Sequence, residues 1–387
     1  DLSRFKGSVP MELFGQTDFP QIGELPYFLT VGPYAFYWFQ IQEKSTLESG
    51  QWLLKQPVIL DVDQEQLRTL SARENWKRFE RNLRSYLPKA RWFAGKGRKI
   101  SKIELSDLLF VKQYERQEES GLALINVTYS EGLSELYSLP LSFADGERAE
   151  RVKTDKSDMV IAETATGIFY EAILDGAFDQ AMLELVLKKK SVVGKAGKIQ
   201  SEFVSTLPTL AEGEEEIPSP TLAGLEQSNS SMLFGKRYYL KMYRKFEEGE
   251  NPEIEIGRFF AKKGYTGTAP YLGSLSYSSG GKVYSLAVVQ QLVENESDGW
   301  TLMLSQVSQL SERLISEGSS IPCTTDLPNE PLSVMRTKKP SEDYQQLAGY
   351  TLRLATMLGH RTAEMHLALG VEDRDSAFIP EPHTPFY

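Results

Sequence analysis

A chain of 387 residues has room for two to three domains and a substantial core, and its 41% hydrophobic and 25% charged residues are ordinary for a globular protein. A net charge of −10 argues against a general electrostatic attraction to nucleic acid. A single cysteine, Cys323, excludes an intramolecular disulfide and a thiolate metal cluster, leaving a free thiol in a reducing compartment as the plain reading. No apolar run is long enough to span a bilayer and no signal peptide opens the chain, so no membrane partner and a cytoplasmic location are expected.

Residues 1–41 read as β-structure punctuated by Gly15, Gly23 and Gly32-Pro33; the run Ala35 to Ile41 carries aromatics on both strand faces and should be covered on both sides. Residues 42–66 are a polar join, with VILDV at 58–62 an ordered strand or docking segment. From Ser71 to Leu87, Trp76, Phe79, Leu83 and Leu87 recur at three- and four-residue spacing, an amphipathic helix stopped by Pro88. The following ARWFAGKGRKI lacks phosphate-loop spacing and reads as a turn that packs Trp92 and Phe93. Five hairpin-length strand candidates come next, ISKIELSDLLFV, ALINVTY, LYSLPLSF, DMVIAET and GIFYEAI, predicting a largely antiparallel sheet. A helix at about 178–189 and a glycine-rich hairpin at 192–199 complete this region, and Glu212 to Glu216 with Pro218 and Pro220 form a solvated boundary.

Residues 226–256, EQSNSSMLFGKRYYLKMYRKFEEGENPEIEI, are the stretch richest in chemistry. Ser228, Asn229, Ser230 and Ser231 offer hydroxyls and unencumbered backbone amides, suited to a loop over phosphates. Gly235-Lys236 makes a turn and Tyr238 to Tyr243 the return strand. Period-two alternation separates Tyr238, Leu240 and Met242 from Tyr239, Lys241 and Tyr243. Asn251-Pro252 is an N-cap followed by proline at the first helical position, and Gly264 stops the helix after Lys263. Glu255, one turn in, can reach back to the strand. Loop, strand lysine and helix glutamate follow the order of a protein-kinase nucleotide lobe, although GxGxxG is absent and an ordinary hairpin with solvated charges reads the same way.

The short run Ala287 to Val293 would be the link between two lobes. A long helix is predicted at 342–369, with Leu347, Tyr350, Leu354, Met357, Leu358, Met365 and Leu369 as a buried stripe and Gly370 as its stop. Arg353, His360 and Glu364 share another face, either lining a cleft or facing solvent; His360 and Glu364 alone make no metal site.

Four ordered stretches, YLPKARWFAGKGRKI, EQSNSSMLFGKRYYLKMYRKFEEGENPEIEIGRF, LAVVQQLVENESDGW and LGHRTAEMHLALG, resemble bacterial maltokinases, and IGELPYFLTVGPYAFYWFQI resembles the C-terminal β-domain of trehalose synthase. The resemblance implies an α+β chain in five parts: the end of a β-sandwich domain at 1–41, a linker at 42–66, an antiparallel-sheet cap domain at 67–215, a protein-kinase-like (aminoglycoside-phosphotransferase-like) nucleotide lobe at 216–295, and the truncated start of a helical C-terminal lobe at 296–387. It implies a trehalose synthase fused upstream, ATP and maltose as substrates, Mg²⁺ as the metal and maltose 1-phosphate as the product. Lys241 would grip phosphates, Glu255 would orient Lys241, Ser228, Asn229, Ser230 and Ser231 would cover the phosphates, and Gln291 and Val293 would present backbone to the adenine. No H-G-D loop follows residue 370, and Asp373 and Asp375 lack a metal-binding context. Catalytic and metal-binding residues are therefore expected beyond Tyr387. The alternative is a non-catalytic nucleotide- or carbohydrate-binding regulatory module.

Overall fold

The computed structural model describes residues 5–6, 8–12, 17–18, 22–23, 38–42, 66–112, 119–204, 217–223, 229–316, 342–370 and 376–379. The sequence expectations for the linker before Gln66, the acidic run 212–216, Ser228, Cys323, Asp373 and Asp375 lie outside these residues. At the N-terminus β1 (Val9–Glu12) pairs antiparallel with β2 (Thr17–Asp18) and β3 (Phe39–Gln42). Trp38, expected to be covered, is 61% exposed.

After a short helix α1 (Gln66–Thr69), α2 (Arg73–Tyr86) forms because its apolar residues fall on one face. Trp76, Phe79 and Leu83 are buried, and the Trp76 indole donates to the Ile103 carbonyl at 3.1 Å. They cover one face of an antiparallel sheet made of β4 (Ile100–Lys112), β5 (Glu119–Tyr129), β6 (Ser134–Asp145), β8 (Gly167–Glu171) and β7 (Val160–Glu163), in that spatial order. Between β6 and β7 runs α3 (Gly146–Asp155).

The opposite sheet face packs on α4 (Gly176–Leu187), where Phe178, Ala181, Met182, Leu183, Leu185 and Val186 are all buried. A helix apolar around most of its circumference belongs between layers, and α4 lies between two sheets. The second sheet has seven strands in the order β11 (Pro220–Leu222), β12 (Asn229–Phe234), β13 (Tyr238–Tyr243), β16 (Lys282–Gln291), β15 (Tyr271–Ser279), β10 (Lys198–Phe203) and β9 (Val192–Val193). One apolar cluster runs from Leu109 and Leu122 of the first sheet through α4 to Met232, Leu240 and Val289 of the second. The glycine-rich hairpin of β9 and β10, placed by sequence in the cap region, thus hydrogen-bonds into the second sheet.

Two further ties join the sheets. The two-residue strand β14 (Lys245–Phe246) leaves the second sheet and pairs with β6. At the other end the Asp107 carboxylate accepts from the amides of Lys195, Ala196 and Gly197 and from the Tyr277 hydroxyl at 2.9–3.2 Å. Those amides are satisfied by protein, so the GKAG turn is a structural tie rather than an anion site.

On the outer face of the second sheet lies α5 (Pro252–Lys263), with Ile254 and Ala261 against Tyr243, Tyr271 and Val288. Gly257 permits that approach: a Cβ there would sit 3.2 Å from the Tyr271 ring. The last elements are α6 (Gly299–Ser316) and α7 (Glu342–Leu369), whose backbone departs from helical geometry at Ala348. The stripe expected to be buried on α7 is covered only in part: Leu354, Met365 and Leu369 are half-buried, Tyr350, Met357 and Leu358 are 50–68% exposed, and Trp300, Leu304 and Val307 of α6 are also exposed. No described helix is long and apolar enough to cross a membrane.

Candidate functional site

Strand β13 is third in its sheet and central to the site. Its alternation gives two unlike faces: Leu240 and Met242 enter the inter-sheet core, whereas Tyr239 and Lys241 face the side that carries α5. Register extends this second face across the sheet, because Lys241 is paired with Ser231 on β12 and with Val288 on β16, and Tyr239 with Leu233 and Gln290. The Ser231 and Tyr239 hydroxyls are 2.8 Å apart.

The Lys241 ammonium meets Glu253 at 3.1 Å. Glu253 also accepts from the Tyr243 hydroxyl at 3.1 Å, and burial pushes the Tyr243 phenol well above its ordinary pKa. The carboxylate that meets Lys241 is thus that of Glu253, where the sequence reading places Glu255. Glu253 follows the N-cap by two residues and lies on the helical face that includes Gly257 and packs on the sheet. Two residues further along, Glu255 is turned by about 200°. Among the described residues Glu255 has no ion-pair partner. The Asn251 side chain caps the helix by accepting from the Glu253 amide at 2.9 Å, which fixes the first turn where Glu253 sits. Arg258, clamped by Glu202 and Glu250 at 2.6–3.0 Å, ties α5 to β10 and to its own N-terminal approach.

Asn229, Ser230 and Ser231 belong to β12 rather than to a loop, since pairing continues from Phe234↔Tyr238 to Asn229↔Tyr243. Their small polar side chains fit the strand because they find partners there: Ser231 binds Tyr239, and Ser230 accepts from the buried Arg244 at 3.0 Å. Gln291 ends β16, its amide bonded to Pro270, while the following Leu292 amide bonds Arg237; Val293 is exposed beyond them. The structure thus gathers Ser231, Lys241 and the end of β16 around one sheet face, sends Ser230 inward and sets Glu253, not Glu255, against Lys241. Glu253, Tyr239 and Tyr243 were not assigned from sequence; the Asn-Pro cap that fixes the helix phase was the available signal for Glu253.

A half-buried ammonium that meets a partly exposed carboxylate can exchange that contact for an anionic ligand. Its side chain is 20% exposed and that of Glu253 33% exposed. Among the described residues no three His, Cys, Asp or Glu side chains gather to hold a metal.

Residues 86–179 match the maltokinase N-terminal cap domain, and residues 1–38 match the maltogenic amylase C-terminal domain. The region matched to that cap domain precedes the lysine-bearing antiparallel sheet along the chain. The N-terminal segment is 48% identical over 46 residues to trehalose synthase from Pimelobacter sp. (strain R48), covering 12% of this chain and 8% of that protein. It is 46% identical over 43 residues to the trehalose synthase/amylase TreS of Mycolicibacterium smegmatis (strain ATCC 700084 / mc(2)155), covering 11% and 7%. The two matches follow one another along the chain in the order of a trehalose synthase fused ahead of a maltokinase. Among solved structures, a glucosamine kinase in complex with glucosamine, ADP and inorganic phosphate aligns over 70% of this chain and 47% of its own, at 16% identity and a TM-score of 0.38.

Proposed function

We propose that the second sheet with α5 is the nucleotide-binding lobe of a sugar kinase, and that the kinase transfers phosphate from ATP to maltose, giving maltose 1-phosphate. The observation that carries this reading is the Lys241–Glu253 pair on the open face of a central strand, directly behind a maltokinase-type cap. In kinases a strand lysine contacts the α/β-phosphates and a helix glutamate orients it. Here Lys241 takes the first role and Glu253 the second, with Tyr243 holding Glu253 in place. Tyr239, Ser231 and Gln290 supply the surface beside the lysine, and the backbone at Gln291–Val293 would meet the base. Ser228 would add a further contact to the phosphates.

Maltose is the proposed acceptor because the cap match names that kinase. A cytoplasmic enzyme fused to a trehalose synthase is the proposed parent, since the N-terminal match points to maltose and trehalose chemistry in the same chain. Among the described residues no three carboxylates gather where Mg²⁺ could be held. The test is to titrate the chain with ATP and ADP, with and without Mg²⁺. Phosphate transfer to maltose, glucosamine and protein is then compared in the fused protein. Saturable nucleotide binding and maltose-dependent maltose 1-phosphate support the reading. Absence of nucleotide binding, or transfer only to protein, overturns it.

A further inference from the structure

Three residues beyond Lys241, the chain places an arginine where side chains of its kind are rarely found. Arg244 is fully buried. Its guanidinium lies 3.9 Å above the Trp92 ring, pairs with Glu171 at the end of β8, and donates to the Ser138 carbonyl of β6 at 3.1 Å and to the Ser230 hydroxyl of β12 at 3.0 Å. Glu171 in turn accepts from the Tyr86 hydroxyl and from the Trp92 indole at 3.0 Å. Backbone follows side chain: the Ser138 amide donates to the Arg244 carbonyl at 2.8 Å, and the Ser138 hydroxyl to the Tyr243 carbonyl at 2.9 Å.

We propose that Arg244 is a positioning residue for nucleotide binding, through which the cap sets the pitch of the two strands that carry Ser231 and Lys241. The inference rests on the nucleotide reading of the second sheet. One guanidinium edge spans β12 and the cap, so the start of β12 and the end of β13 are both referenced to Glu171 and Ser138. The cap contributes α2 (Tyr86), the turn after it (Trp92), β6 and β8. A buried guanidinium exchanges its partners at high cost, so this geometry is fixed before any ligand arrives. Binding at Lys241 then requires no ordering of β13. The cap acts on the nucleotide site without touching the nucleotide, and perturbing this joint weakens binding even though every side chain facing the ligand is intact.

The test uses the whole chain and three variants. Arg244→Met combined with Glu171→Gln removes both charges while leaving an acceptor for Tyr86 and Trp92. Ser230→Ala removes one hydroxyl and serves if the double variant does not fold. Leu83→Ala is the control, destabilising the cap core without removing a member of the network. ATP affinity is measured by calorimetry, and amide exchange is followed over 229–243 against 198–203. The expected results are a Kd at least tenfold weaker for the double variant and about threefold weaker for Ser230→Ala, with faster exchange confined to 229–243. Leu83→Ala should stay within twofold of wild type. A folded double variant with unchanged exchange and Kd overturns the inference, as does an equal loss of affinity in Leu83→Ala. If the wild-type chain binds no nucleotide, the functional reading fails by itself. The exchange comparison then still decides whether Arg244 positions the strands.

Discussion

Two ion pairs three residues apart do opposite work. Lys241–Glu253 lies on an open sheet face with both side chains partly exposed, whereas Arg244–Glu171 is sealed between two sheets. Water and a ligand can compete for the first, so the pair is weak in stability and available for binding. The second has no such competitor, and its members are locked by hydrogen bonds from Tyr86, Trp92 and to Ser138. The strand that carries a partly exposed cation at Lys241 is thus anchored by a captive one three residues later, at Arg244.

That contrast can be broken or sharpened experimentally. The largest effect is expected for Arg244→Met alone, which leaves Glu171 buried without its cation and should cost about 3–5 kcal/mol, read as a lowered urea midpoint. Adding Glu171→Gln should restore a large part of that loss; no restoration would show that packing on Trp92, not charge, holds the joint.

A second effect depends on pH. Burial works against ionisation of Glu135, but hydrogen bonds from Tyr137, Tyr129 and Lys245 outweigh it and hold its pKa down at about 2. Its folded-state value lies below its unfolded one, so its contribution is present above about pH 4.5 and is lost as pH falls toward 2. Glu135→Gln should flatten the stability profile across that window, and an unchanged acid slope would contradict the assignment. Next comes Gly264→Ala at the end of α5, where φ is +67°; a cost of about 1–2 kcal/mol is expected, with the helix otherwise intact by circular dichroism. The smallest stability effect belongs to Glu253→Gln, under about 1 kcal/mol because the pair is partly exposed. It should nevertheless weaken nucleotide binding severalfold, whereas Glu255→Gln leaves it unchanged. The reverse ranking would return the role to Glu255.

Local chemistry was legible in the sequence to the degree that it was local. The cap at Asn251, proline at Pro252 and glycine at Gly264 gave both ends of α5, and strand alternation placed Lys241 on the correct face. All five strand candidates of the first sheet formed. What stayed hidden depends on contacts distant in the chain. Helix phase against the sheet, set by Gly257 and Tyr271, selects Glu253 over Glu255. Ser230 looks like loop until Arg244 supplies its partner, and Arg244 looks like a surface charge in MYRKF until Glu171, 73 residues away, is found beside it. The apolar spacing on α7 is real in the sequence, yet the described residues leave Met357 and Leu358 exposed.

The most direct test of the central claim is calorimetric titration of the wild-type chain and of Lys241→Met with ATP, run beside their urea unfolding curves. The account predicts saturable binding by wild type and an affinity at least tenfold lower for Lys241→Met, with nearly unchanged unfolding midpoints. Equal affinity in two equally stable proteins would contradict the claim that Lys241 is the phosphate contact of this lobe.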